Sequence, residues 1–346
     1  MADSHVSWFQ DVGLAQRPEV GGKGGSLGEL TRAGHPVPPG FVVRTAAFER
    51  HIEVLERAAP LRAVVATLDP DDLDALRLAC AALRERVERS PLPPDVEQEV
   101  LAAHAALCQG APVTVAVRSS ATTEDAADAS FAGLQDTYLW VREARDVLHK
   151  VRSCWASLYS VDSVSYRLRK RFPESEVAMA VVVQAMVDAR TAGVMFTRSP
   201  TTGDRSVITI EGAWGLGSAV VSGEVTPDRW VVGKITGEIT RRDISPKLIR
   251  HVPGADGVEE QSVPADLRDQ PCLSDEELQA LRSVGRAVER HYGCPQDIEW
   301  AVDRSGRIQL LQSRPETVWA SRQAAPVARA IDDPLRHVMT IFGGRG

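Results

Sequence analysis

Cysteine is sparse in this chain of 346 residues. The five that occur, Cys80, Cys108, Cys154, Cys272 and Cys294, are odd in number and form no C-x-x-C pair. That pattern argues against a disulfide framework and against a zinc knuckle, and scattered thiols suit a reducing cytosol. No apolar run approaches the roughly 20 residues that a membrane helix needs. Residues 1–10 are polar and lack the apolar segment of a signal peptide. A basic excess is missing too. The formal net charge is −7, which argues against nucleic acid as the main partner, although it leaves room for a local basic cleft. No G-x-x-x-x-G-K-[ST] phosphate loop occurs, and there is no internal repeat. The expectation left by these absences is a soluble, cytoplasmic protein that acts on small molecules rather than on nucleic acid or membrane.

What is present is ordinary for such a protein, with 43% hydrophobic and 25% charged residues. The length allows two or three packed units at roughly 100–200 residues each. The pattern predicts a short helix over 26–33, stopped by Pro36, Pro38 and Pro39, and a strand over 41–43. Leu73, Leu76, Cys80, Leu83 and Val87 recur at helical spacing and predict a helix over 71–89. Val96, Val100, Ala103 and Leu107 predict another over 95–107. A strand over 113–117 leads into Arg118, and a helix carrying Trp155, Leu158 and Tyr159 follows. From residue 179 the pattern turns to strands, at 179–187, 193–197, 206–211 and 230–235. Ser274 and Glu277 form a capping box that opens a helix running to Tyr292. Strands over 297–302 and 307–312 face each other across a turn at 303–306. The whole reads as α+β, with units 1–190 and 191–318, and 319–346 as an Ala/Arg-rich linker or tail.

Four constellations can carry chemistry. Gly21 to Ser26 places Lys23 among glycines ahead of the predicted helix, where backbone can approach phosphate closely. By composition alone the run reads equally as a turn with a surface lysine. Arg118 can fork onto phosphate oxygens, and the small-residue segment from Ser130 to Thr137 can act as a lid. A structural arginine and a solvent loop fit as well. In the last hairpin the assumed turn sets Val302 opposite Arg307 and Glu299 opposite Leu310. Glu299 and Gln312 then share a face diagonally, and a carboxylate with an amide oxygen suits Mg²⁺. Arg314 can point to that face as well, although a polar solvent-facing edge is the plainer alternative. Finally, Glu211 to Gly217 is a glycine-spaced turn in which Trp214 either lines a pocket or plugs the core.

Order and spacing say more than any one of these. Gly21 to Leu30 followed by Ala33 to Phe41, Val117 to Asp125, Ser130 to Thr137, and Ala192 to Pro200 come first. Trp214 to Gly217 with Gly223 to Asp228, and Asp297 to Trp300 with Leu311 to Pro315, complete the series. This ordered set resembles the N-terminal nucleotide-binding domain of the pyruvate phosphate dikinase and phosphoenolpyruvate synthase family, near rifampin phosphotransferase and the ATP-binding subunit of phenylphosphate synthase. The resemblance covers about residues 8–318. It implies an ATP-grasp fold with two subdomains enclosing a nucleotide cleft, and ATP and Mg²⁺ as cofactors. It also implies that Lys23 and Arg118 contact the ATP phosphates and that Gly133, Gln135 and Thr137 belong to a phosphate-covering loop. Gln184, Met186 and Val187 would flank adenine, with Glu211 near ribose or phosphate. Glu299 and Gln312 would hold Mg²⁺, and Arg314 would stabilise the transferring group.

Family members that complete a reaction carry a phosphorylatable histidine in a Thr-Ser-His context, and none of the eight histidines here has one. The resemblance therefore implies a histidine-carrying phosphotransfer partner or domain, which also serves the small-molecule acceptor. Two rival readings are an ATP-grasp carboxylate ligase, which would release ADP rather than AMP, and a nucleotide-sensing module without turnover.

Overall fold

The computed structural model describes residues 4–122, 136–255, 257–317 and 319. Its strands are β1 (Val6–Trp8), β2 (Gly40–Val43), β3 (Val115–Ala121), β4 (Thr137–Val141), β5 (Met179–Ala185), β6 (Ala189–Phe196), β7 (Val207–Trp214), β8 (Asp228–Gly233), β9 (Ile239–Asp243), β10 (Ile249–Gly254), β11 (Gly257–Ser262), β12 (Gln296–Asp303) and β13 (Ile308–Pro315). The helices are α1 (Arg17–Arg32), α2 (Thr45–Ala58), α3 (Arg62–Ala66), α4 (Leu73–Arg89), α5 (Pro94–Cys108), α6 (Ala144–Ser157), α7 (Val161–Lys170), α8 (Ser218–Val221) and α9 (Asp275–Tyr292). The fold class is mixed α+β. One sheet of five strands, in the order β1-β2-β5-β3-β4, faces a second of six, β13-β12-β6-β7-β8-β9, while β10 and β11 form a separate hairpin.

The first sheet is apolar on both faces. Phe41, Val43, Val181 and Val183 join the core made with α2 and α4 to α7, whereas Val42, Ala180 and Val182 pack under α1. A strand buried on both faces needs a continuous apolar run, and Met179 to Val183 supplies it. The second sheet carries α9 on one face. Leu278, Leu281 and Val288 of α9 pack on Met195, Ile208, Ile210, Trp230, Ile298 and Trp300. On the opposite face Ala213 packs against Ala219 of α8 and Val225, and Ala192, Glu299, Ala301 and Gln312 line the cleft. The first sheet draws its strands from residues 6–185 and the second from 189–315, so the chain crosses between them at 186–188.

Two sequence expectations need correction. The glycine run is not a loop before a helix, because α1 contains it, with a kink at Gly21 (φ 70°, ψ 178°). These glycines serve close packing. A Cβ on Gly28 would lie 2.5 Å from the Val12 carbonyl oxygen, and one on Gly24 would lie 3.1 Å from Val20 and Val42. The hairpin register also differs. Val302 pairs with Ile308, Trp300 with Leu310, and Glu299 directly with Gln312, with a bulge between Glu299 and Trp300. The turn is one residue longer than assumed, since the Asp303 carboxylate accepts hydrogen bonds from the Ser305 and Arg307 amides (2.8 and 3.0 Å) and from the Ser305 hydroxyl (2.6 Å). Leu311 is then the extra residue that re-aims the end of β13.

The Asp303 bonds, led by the Ser305 hydroxyl, hold its carboxyl well below the usual carboxylate range. A depressed folded-state pKa contributes stability that is present above the unfolded value of about 3.9 and is lost as pH falls toward the folded value. Asp303→Asn is therefore expected to lower Tm at pH 7. Paired melts at pH 7 and pH 2.5 should show the gap to the parent shrinking with acid, and a gap independent of pH would refute the ionic origin.

Candidate active site

The cleft between the two sheets has a volume of about 440 Å³. It brings together Lys23, Arg118, Thr137, Gln184, Met186, Val187, Glu299, Gln312 and Arg314, residues drawn from both ends of the chain. Gly133 and Gln135 lie outside the described residues, as do residues 320–346 of the expected tail. Glu211 lines an adjoining cavity that shares Glu299, Gln312 and Arg314 with the cleft, and its carboxylate sits 3.5 Å from Arg229.

The sheet register explains the polar end of the cleft. Glu211, Val194, Glu299 and Gln312 are successive cross-strand partners over β7, β6, β12 and β13. Direct partners project to the same face, so the bulge converts a diagonal Glu–Gln pair into an adjacent one. Two residues along β12, Asp297 faces Arg314 in the register, and the guanidinium is 2.8 Å from the carboxylate. Burial pushes the Asp297 carboxyl above its ordinary value, with Arg314 opposing the shift. Asp297 was missed as a site residue. Its signal was available, since 297 and 299 share one face of a strand.

Arg118 ties the two sheets together. β3 does not stop before it but runs on to Ala121, so the side chain leaves a rigid central strand. Its guanidinium donates to Glu299 Oε2 at 2.8 Å, to Gln312 Oε1 at 2.6 Å and to the Leu311 carbonyl at 2.9 Å. The last of these acceptors belongs to the bulge residue. Thr137 is a strand residue rather than part of a loop, and it pairs with Arg118 in the β3–β4 register. Lys23 is buried on α1.

The other end of the cleft is apolar. Ala189, Ala192, Leu216 and Ala301 cluster there with Trp140, Met186, Val187 and Leu311. Gln184 is 2% exposed, and its side-chain amide nitrogen has no hydrogen-bond partner among the described residues. A buried amide without an acceptor costs free energy unless something supplies one, and a heteroaromatic ring nitrogen would. Met186 donates its N–H to the Thr114 carbonyl at 2.9 Å, so what it offers a ligand is its carbonyl and thioether. The cleft thus runs from an apolar slot to a carboxylate–amide–guanidinium cluster. That donor set fits a nucleotide at one end and a hard cation with its phosphates at the other.

No helix among the described residues is long and apolar enough to cross a membrane. Comparison with known proteins extends the picture. A solved D-alanyl-alanine synthetase A from Vibrio cholerae overlays at a TM-score of 0.25 and 9% identity, covering 69% of this chain and 54% of that one, too slight a likeness to carry an argument. A probable phosphoenolpyruvate synthase of Methanothermobacter thermautotrophicus is 44% identical over 316 residues, spanning 90% of this chain and 46% of that protein. The phosphoenolpyruvate synthase of Pyrococcus furiosus is 37% identical over 96% of this chain and 46% of its own length. A rifampicin phosphotransferase of a Streptomyces species is 41% identical, covering 96% of this chain and 38% of its own. The chain therefore spans less than half the length of these curated relatives. The model of the pyruvate phosphate dikinase AMP/ATP-binding domain matches residues 17–333, and the chain belongs to that family.

Proposed function

We propose that this chain is the Mg-ATP-binding component of a dikinase-type phosphotransferase. Its two sheet-centred halves, divided at about residues 186–188, would close on the nucleotide as an ATP-grasp. The observation that carries the reading is the polarity gradient of the cleft, with the buried Gln184 amide at its apolar end and Glu299, Gln312, Arg118 and Arg314 at the other. Adenine occupies the slot between Met186, Val187 and Gln184. Lys23 and Arg118 take phosphate oxygens, Thr137 lies beside them, and Gly133 and Gln135 belong to the loop that covers them. Glu299 and Gln312 hold Mg²⁺, which when bound neutralises charge on the phosphates. Arg314 stabilises the group in transfer, and Asp297 holds it in place until then. Glu211 lies beside the phosphate end.

The nucleophile is a histidine outside these 346 residues, on another domain or another polypeptide. No histidine lines the cleft among the described residues, and His251 lines only an adjoining cavity, held there by Ser218 and Glu224. The histidine nitrogen attacks the β-phosphorus and AMP leaves. Water then takes the terminal phosphate as Pi, and the remaining phosphohistidine serves a small-molecule acceptor held by the partner. Positioning and charge stabilisation by the cleft residues supply the catalysis.

The reading predicts that the chain alone binds Mg-ATP. At a hundredfold excess over Kd the ligand should stabilise the fold by about 2.7 kcal/mol, read as a rise in Tm. No shift at millimolar Mg-ATP would overturn the assignment. Mixed with a histidine-bearing partner, the chain should yield AMP, Pi and acid-labile label on that partner. ADP as the only nucleotide product would point instead to a ligase or a simple kinase.

A further inference from the structure

Ser120 is fully buried on β3, two residues from Arg118 and on the same face of the strand. Its hydroxyl accepts a hydrogen bond from the Gly24 N–H at 3.1 Å and donates one to the Val20 carbonyl at 2.8 Å. An unbroken α-helix would join those two backbone groups directly, residue 24 to residue 20. The hydroxyl is therefore inserted into one rung of α1, and the helix kinks at that rung, at Gly21. Only glycine tolerates the contact. A Cβ on Gly21 would lie 2.1 Å from the Ser120 carbonyl oxygen and 2.3 Å from its hydroxyl, at a backbone φ of +70°.

Lys23 is the second residue beyond the kink and faces the cleft. The direction in which α1 leaves Gly21 sets where its ammonium points. We infer that Ser120 is a positioning residue for Lys23: its hydroxyl, inserted between Val20 and Gly24, holds the helix break that aims the lysine at the polyphosphate. This deepens the nucleotide reading and rests on it. A single rigid strand then fixes both phosphate cations, Arg118 directly and Lys23 through Ser120. Strand and helix share one geometric reference, so the spacing between the two charges is set by β3 and the two Ser120 hydrogen bonds that tie α1 to it.

The test uses the full chain in five forms: parent, Ser120→Ala, Ser120→Cys, Lys23→Ala, and the Ser120→Ala/Lys23→Ala pair. ATP affinity is measured by calorimetry and adenosine affinity by ligand-observed NMR, with circular dichroism melts alongside. Ser120→Ala lets Val20 and Gly24 close their own rung and straighten the helix. ATP should then bind at least about tenfold more weakly, the scale of one lost charged hydrogen bond. Adenosine affinity should hold, since the apolar end is untouched. In the Lys23→Ala background, Ser120→Ala should cost no further ATP affinity, because the residue acts through the lysine. Should Ser120→Ala fail to fold, Ser120→Cys carries the comparison with the same selectivity in smaller measure, its thiol being a weaker partner. Equal weakening of ATP and adenosine, or an additive effect with Lys23→Ala, would show a structural role only and overturn the inference. A parent chain that binds no ATP overturns the nucleotide reading itself, whereas a parent that binds it beside an unaffected Ser120→Ala overturns this inference alone.

Discussion

Glu299→Ala is expected to lower Mg²⁺-dependent transfer by about 10²–10³-fold while leaving adenosine affinity unchanged, the range seen when one stabilising group is removed from such a site. The physical basis is the cross-strand row. Glu299 supplies the anionic oxygen beside the neutral amide oxygen of Gln312, and alanine leaves only the amide for a hard dication that selects charged oxygen ligands. The slot proposed for adenine, with Ala192 and Ala301 two residues along their strands from Val194 and Glu299, shares no side chain with the lost carboxylate. Arg118 keeps two of its acceptors, Gln312 and the Leu311 carbonyl, so the substitution does not strand a buried guanidinium. Glu299→Gln separates charge from shape. It keeps an oxygen at the position, and part of its lost rate should return as Mg²⁺ is raised. Turnover is followed against Mg²⁺ concentration with the histidine-bearing partner present. Parental turnover by Glu299→Ala at limiting Mg²⁺ would remove Glu299 from the metal site.

How much of this site the sequence shows depends on the range of the interaction. Arg118 and Glu299 meet across 181 positions of chain, a pairing no local pattern encodes. Local patterns named each residue singly, and only the ordered motifs, through family resemblance, put the two in one site. Local signals gave local features: the Ser274–Glu277 capping box is present at the start of α9, and the helices over Leu73–Arg89 and Pro94–Cys108 fall within two residues of their expected starts. Register was illegible because it turned on one bulged residue, Leu311, and on the turn chemistry of Asp303. Glycine misled for a related reason. Each interior helical glycine costs about 1 kcal/mol, so the run from Gly21 to Gly25 read as a loop. Here contact with Ser120, Val20, Val42 and Arg17 outweighs that propensity. The β10–β11 hairpin went unseen because most of its residues are half-exposed or exposed and carry no apolar alternation to detect.

Asp228→Ala is expected to be the most destabilising single change outside the cleft. It lies in the run Gly223 to Asp228, which the sequence marked but the cleft does not use through this side chain. Asp228 and Lys247 are both fully buried, and the ammonium sits 2.6 Å from the carboxylate. The same carboxylate accepts the Ser245 amide at 3.0 Å and the Cys272 amide at 2.9 Å, while Lys247 also donates to the Ser245 carbonyl at 2.8 Å. One side chain thus staples the start of β8 to two loops that regular secondary structure leaves unpaired. Removing it strands a buried ammonium and two buried amides, a loss of about 3–5 kcal/mol. Lys247→Met should cost less, because Asp228 keeps both amide donors and methionine fills much of the volume. Denaturant unfolding of the two variants, with the slopes compared to exclude a change in the unfolded state, reads the difference. A loss from Lys247→Met equal to or larger than that from Asp228→Ala would mean that the ion pair, rather than the backbone staple, holds this corner together.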